Sequence, residues 1–168
     1  MSEHVQQRVA RRSEFFLQLR RATPADASAL AAMLESLSRQ TRYLRFGTER
    51  PLHGAAAQRE AARAVQSPSV LGIAPSTGAL IALAEVAGVA SGGAELAVVV
   101  RDNYQAQGVG TALVERALEG ARRSGITTLR CYVLPENRSA LRLVQRLDVP
   151  RRSRFHQGLM EVTLHLAE

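Results

Sequence analysis

Cysteine occurs once, at position 131, and neither lysine nor tryptophan occurs at all. One thiol can build neither a disulfide framework nor a thiolate cluster around a metal, and such a chain suits a reducing cytoplasm. The four histidines, His4, His53, His156 and His165, share no metal-ligand spacing, so no metal site is expected. No apolar run approaches the roughly 18 residues of a membrane span. The opening residues "MSEHVQQRVARRSEFF" lack the apolar core of a signal peptide, and Glu3 and Glu14 are out of place in a transit peptide. A cytoplasmic protein without membrane attachment is the expectation. Aromatic residues are scarce, at 4%, and show no base-stacking pattern. The net charge of +7 therefore points to a phosphate-rich cofactor before nucleic acid, unless it only reflects an arginine-rich genome.

The 168 residues suffice for one domain with a real core. Residues 1–15 are polar and basic and are expected to be a flexible segment, with a single domain over 16–168. "FFLQLRRAT" (15–23) reads as a first strand. A helix over 23–37 follows, with Thr23 as N-cap, Pro24 in the first turn and Asp26 near the positive helix end. Residues 38–47 suggest a short helix or turn, and 53–66 an alanine-rich helix stopped at Ser67-Pro68. Segments 69–74 and 79–87 form a hairpin about the turn "PSTG", and "GVASGG" (88–93) a flexible connection. "AELAVVV" (94–100) is too continuously apolar to face water on either side, which places it centrally in a sheet. A helix over 108–124, a strand over 127–134, a short helix over 137–147 capped by Asn137, and two final strands complete the chain.

Between the central strand and the long helix lies "DNYQAQGVGTALV" (102–114). Gly108 and Gly110 stand at the helix start, where glycine costs about 1 kcal/mol against alanine once inside the helix. The first-turn amides have no internal partner, and the helix dipole adds positive potential. An anion such as phosphate fits there, and the glycines are expected to clear its path to the amides. The spacing Gln105-x-x-Gly108-x-Gly110 lacks the Lys-Ser/Thr ending of a nucleotide P-loop and the third glycine of the dinucleotide fingerprint.

The segment "VVVRDNYQAQGVGTALVERALEGARRSGITTLRCYVLPEN" closely resembles the acetyl-CoA-binding core of the GNAT N-acetyltransferase superfamily, and the likeness extends over about residues 17–166. It implies an α/β (α+β) fold in which a mixed, mostly antiparallel sheet of about six to seven strands is flanked by helices. It implies acetyl-CoA as co-substrate, with the pyrophosphate on Gln105, Ala106, Gln107, Gly108, Val109, Gly110 and Thr111. The backbone at Val98, Val99 and Val100 would hold and polarise the thioester, and Asn137 the pantetheine arm. "QTRYLRF", "ELAVVVRDNYQ" and "VLPEN" resemble bacterial protein-lysine acetyltransferases that modify acyl-CoA synthetases. One departure stands out: the tyrosine that many members use as general acid in the last helix is Val144 here. The leaving thiolate would then take its proton from water, from Tyr132 or from another group.

Transfer to an amine needs a neutral nucleophile, and a lysine amine with an ordinary pKa near 10.4 is protonated at pH 7. A carboxylate can remove that proton. Glu95 opens the central strand, should be partly desolvated there, and matches the family's catalytic glutamate. Glu85, in "LAEVA", is the runner-up, with substrate orientation its expected role. Arg42, Tyr43, Arg45 and Phe46 belong to a segment that borders the acceptor site in the family. No cysteine–histidine pair offers a covalent route, so direct transfer is expected. The leading reading is acetyl transfer from acetyl-CoA to a protein lysine. A small amine acceptor and a non-catalytic acyl-CoA-binding module are the alternatives.

Overall fold

The computed structural model describes residues 10–12, 15–90 and 93–166. Eight strands line up in one sheet in the order β1-β2-β3-β4-β5-β6-β8-β7. They are β1 (Ala10–Arg12), β2 (Phe15–Arg21), β3 (Val70–Ala74), β4 (Ala79–Ala90), β5 (Gly93–Val100), β6 (Thr128–Val133), β7 (Arg151–His156) and β8 (Leu159–His165). Every neighbouring pair is antiparallel except β5 with β6. The mixed, mostly antiparallel sheet is as expected, and the short β1 adds an eighth strand. Residues 1–9 and 13–14 of the expected flexible segment lie outside the described residues. β4 runs on to Ala90 through an irregularity after Ala87, so the expected loop over 88–93 is mostly strand.

Helices α1 (Ala27–Glu35), α2 (Arg39–Phe46) and α3 (Ala55–Gln66) lie on one side of the sheet, and α4 (Val109–Arg123) and α5 (Arg138–Arg146) on the other. The strand alternation decides which residues serve which core. Leu71, Leu83 and Val99 pack with Leu30, Leu34 and Ala61 beneath α1 and α3. Leu96, Leu129 and Val162 pack with Leu113, Ala117 and Leu118 beneath α4. On the first side, helices reach only as far as β5. The outer residues of β6 and all of β7 remain exposed there.

The entry to α1 is held by a carboxylate. A 3₁₀ turn, Pro24–Asp26, precedes the helix. The Thr23 amide and hydroxyl donate to Asp26 Oδ2 at 2.8 and 3.0 Å, and Arg20 grips both Asp26 oxygens at 2.8 and 2.7 Å. The Arg20 hydrogen bonds are the chief reason that the Asp26 carboxyl lies well below the usual carboxylate range. Its contribution is therefore full above the unfolded value near 4 and is lost as pH falls toward the folded value. Asp26→Asn should cost about 2 kcal/mol at pH 7. Urea unfolding should show the gap to wild type narrowing between pH 5 and pH 3; a gap independent of pH would contradict the ion-pair assignment.

Candidate active site

Within the sheet β5 and β6 diverge. They pair at three rungs only, Gly93 with Thr128, Ala94 with Leu129 and Glu95 with Arg130. β5 continues to Val100 and β6 to Val133, while β4 stays paired with β5 as far as Val100. Beyond Glu95 the β6-facing edge of β5 has no strand partner among the described residues, and its backbone groups require one. A cavity of about 270 Å³ occupies this wedge. Leu44, Arg45 and Phe46 of α2 line it from one side of the sheet, and Ala140, Leu143 and Val144 of α5 from the other. A second hollow, of about 500 Å³, lies near Gly125, Pro150 and His165. Its lining has no carboxylate, thiol or parted strand edge, so the chemistry belongs to the wedge.

The glycine loop lies where the sequence pattern puts it, between β5 and α4. A 3₁₀ turn, Asp102–Tyr104, leads into it. Ala106 and Gly108 adopt left-handed φ values of 60° and 83°. No side chain caps α4, which leaves its first amides without an internal partner. Backbone of this kind forms an anion-binding concavity. The two glycines have different reasons to be there. A Cβ at Gly108 would meet nothing within 4 Å, so its left-handed φ is the requirement. A Cβ at Gly110 would stand 3.1 Å from Leu143 Cδ1, so Gly110 lets α5 close on α4 rather than clearing a path for phosphate.

The side chains of the loop are already engaged. Gln105 Nε2 donates to the Val100 carbonyl at 2.9 Å and to Thr41 Oγ1 at 3.0 Å, and Gln107 Nε2 donates to the Asn103 carbonyl. Val98 lines the wedge, whereas the Val99 side chain is buried in the core beneath α1 and α3. Asn137 Oδ1 caps α5 by accepting from the Ala140 amide at 3.1 Å, and Asn137 also lines the wedge. Ala106, Val109 and Thr111 belong to the loop and the first turn of α4 but not to the lining of the wedge.

The register resolves the relation between the two glutamates. Glu85 pairs with Ala97 and Glu95 with Ala87, so both carboxylates project from one face as diagonal neighbours. Their surroundings differ. Glu95 lines the wedge at its narrow end and is exposed, not desolvated, because that end meets the half of the sheet without helices. Glu85 is 2% exposed and outside the lining. Its oxygens accept from Arg45 at 3.3 Å and from Arg63, so it is a structural counterion rather than a substrate ligand. Burial lowers the Arg45 guanidinium from its ordinary value, and Glu85 pulls it back.

On α2, Arg45 and Phe46 line the wedge, with the guanidinium 4.6 Å from the Phe46 ring centroid. Arg42 is turned away and donates to the Leu37 carbonyl, which removes it from the expected acceptor contacts. The Tyr43 hydroxyl donates to Glu136 Oε1 at 2.9 Å and so crosses from α2 to the loop after β6, outside the lining. Burial, with the Glu95 charge adding to it, pushes the Cys131 thiol up to about 12. Cys131 therefore stays a thiol at neutral pH and offers no covalent route. At Val144, where the resemblance places a tyrosine, a buried isopropyl group lines the wedge. Tyr132, 44% exposed, is the one hydroxyl-bearing residue of the lining. Asp102, which no sequence feature had marked, ties this loop to α2.

The sequence model of the acetyltransferase (GNAT) family matches residues 30–148, which include α2, the glycine loop and all of the wedge lining but Leu159. The chain belongs to this family. Solved structures share the acetyltransferase fold over nearly the full length. The GNAT domain of S. lividans PAT superposes with a TM-score of 0.77 at 24% identity, covering 89% of this chain and 90% of that one. The yncA structure from Salmonella typhimurium, solved with its cofactor acetyl-CoA, gives 0.66 at 20% identity over 90% of this chain and 95% of that one. The PaiA N-acetyltransferase from Thermoplasma acidophilum, in complex with coenzyme A, gives 0.69 at 14% identity over 89% and 98%. Among the described residues no helix is long and apolar enough to cross a membrane, and no group of three or more His, Cys, Asp or Glu is placed to hold a metal ion.

Proposed function

We propose that the protein transfers the acetyl group of acetyl-CoA to a lysine side chain of a protein, with an acyl-CoA synthetase the favoured acceptor. The parted strands β5 and β6, with Glu95 where they meet, are the observation that carries the reading. The pyrophosphate rests on the amides of residues 105–111. The pantetheine arm runs on into the wedge and takes the place of the missing strand partner along β5. The backbone of Val98–Val100 holds the thioester there. The amine approaches from the face that carries α2 and gives a proton to Glu95. Its nitrogen bonds to the acetyl carbon, the carbon–sulfur bond breaks, and the coenzyme A thiolate leaves. With Val144 in place of the family's tyrosine, the Tyr132 hydroxyl relays to that thiolate the second proton, the one the nitrogen sheds on becoming the amide, so that coenzyme A leaves as the free thiol.

The breadth of the open face favours a protein over a small amine. Beside Glu95 lie the exposed Arg130 and Tyr132 of β6 and Arg152 and Arg154 of β7, in register with the half-buried Glu161 and Thr163 of β8 between them. Three arginines against two carboxylates leave this face slightly basic, with Arg154 held on Glu161, which suits an acidic partner. Resemblance of "QTRYLRF" and "VLPEN" to the protein-lysine acetyltransferases points the same way.

Calorimetry tests the cofactor assignment. Gly110→Asp sets a carboxylate at the anion site and crowds Leu143, and should raise the Kd for acetyl-CoA at least tenfold, about 1.4 kcal/mol. Wild-type affinity in a folded variant would remove the pyrophosphate from this loop.

A further inference from the structure

Helix α2 is placed by polar ties rather than by burial. It has eight residues, of which only Thr41 is buried. So short a helix is marginal on its own. No acidic residue stands in its first turn, and Arg39, Arg42 and Arg45 all lie along it. Yet this helix supplies Leu44, Arg45 and Phe46 to the wall of the wedge.

What holds its N-terminus is the cofactor side of the site. Asp102 Oδ2 accepts from the Ser38 amide at 3.0 Å, and Asp102 Oδ1 accepts from the Ser38 hydroxyl and from Thr41 Oγ1, the latter at 2.8 Å. Thr41 Oγ1 in turn accepts from Gln105 Nε2, which also bonds the Val100 carbonyl. Asp102 thus supplies, from a segment 64 positions away, the carboxylate that the helix N-terminus lacks. Burial acts to raise this carboxyl, but the hydrogen bonds from Ser38 and Thr41 outweigh it and leave it below its ordinary value. The far end of α2 is held separately, by Arg45 on Glu85 and Tyr43 on Glu136.

We propose that Asp102 is a positioning residue that mounts the acceptor-side helix α2 on the cofactor loop, so that filling the loop fixes the acceptor wall. This rests on residues 105–111 as the coenzyme A site. Asp102 begins the 3₁₀ turn that leads into that loop, and Gln105 belongs to the loop itself. An anion that immobilises the loop immobilises Asp102, Gln105 and, through Thr41, the start of α2. A ligand that orders one segment lowers the cost of using the other, which is coupling between two sites without a change of shape. The consequence is that acetyl-CoA and the amine each tighten the other's binding by the same factor.

Hydrogen exchange of the full chain, with and without coenzyme A, reads this directly. In wild type the ligand should slow exchange in residues 105–111 and also, by roughly threefold or more, in residues 39–46. Asp102→Asn and the isosteric Thr41→Val should keep the protection at 105–111 and a Kd for coenzyme A within about threefold of wild type. Both should lose the protection at 39–46, and the acceptor KM should rise more than kcat falls. A residue needed only for folding would lower the melting temperature without uncoupling the two segments. Wild-type protection confined to 105–111, or protection of 39–46 that survives in both folded variants, would overturn the proposal. If calorimetry detects no coenzyme A binding and neither segment slows in wild type, the cofactor assignment fails and this inference falls with it.

Discussion

Glu95→Gln should lower kcat by roughly 10²–10⁴-fold, the usual worth of a positioned general base. The amide keeps the shape of the side chain but cannot take the proton that the amine must lose. The Kd for acetyl-CoA should stay within about twofold of wild type, because the proposed cofactor contacts lie in the loop and β5 and not at this carboxylate. Glu95 is exposed, so the glutamine variant should also melt close to wild type. Activity largely retained in Glu95→Gln would instead favour direct attack by the small deprotonated fraction of the amine.

Glu85→Ala should have the opposite phenotype. Its carboxylate is buried between Arg45 and Arg63, and the Arg45 side chain is itself only 15% exposed. Removing one partner of a buried pair leaves an uncompensated charge and costs about 3–5 kcal/mol. For a chain of this size that corresponds to a fall in Tm of roughly 10 °C. Replacing Arg45 by methionine in the same background should recover part of the loss, since it removes the stranded charge while filling the space. A Tm within about 2 °C of wild type in Glu85→Ala would contradict the structural role. The two carboxylates share one face of the sheet, but one should act on rate and the other on stability.

Much of this was open to a reading of the sequence, and the rest was hidden for physical reasons. The strand, glycine loop and helix over 94–124 carry their own punctuation in the apolar run and Gly108, and the expected boundaries lie close to those observed. Asn137 announced α5 in the same way, and its capping bond is present. The relation of Glu85 to Glu95 was not legible, because the β4–β5 register shifts between Ala87 and Ala90. The exposure of Glu95 depends on which strands lack helices above them, which is a property of sheet order and not of the residues around position 95. α2 has no apolar stripe to set its phase, so a sequence reading could not tell that Arg45 lines the wedge while Arg42 turns away. Asp102 meets Ser38 and Thr41 across more than sixty positions, and no local pattern marks such a pair. The reason for Gly110 was likewise remote, since Leu143 lies on another helix.

In the proposed function the wedge passes an acetyl group from acetyl-CoA to a protein lysine with Glu95 as the base. The most direct measurement pairs release of free coenzyme A thiol with mass spectrometry of an acyl-CoA synthetase incubated with the enzyme and acetyl-CoA. One dominant acetyl-lysine is expected, formed in step with thiol release by wild type and nearly absent with Glu95→Gln. Thiol release that proceeds with free lysine or a polyamine and leaves every protein tested unmodified would contradict it.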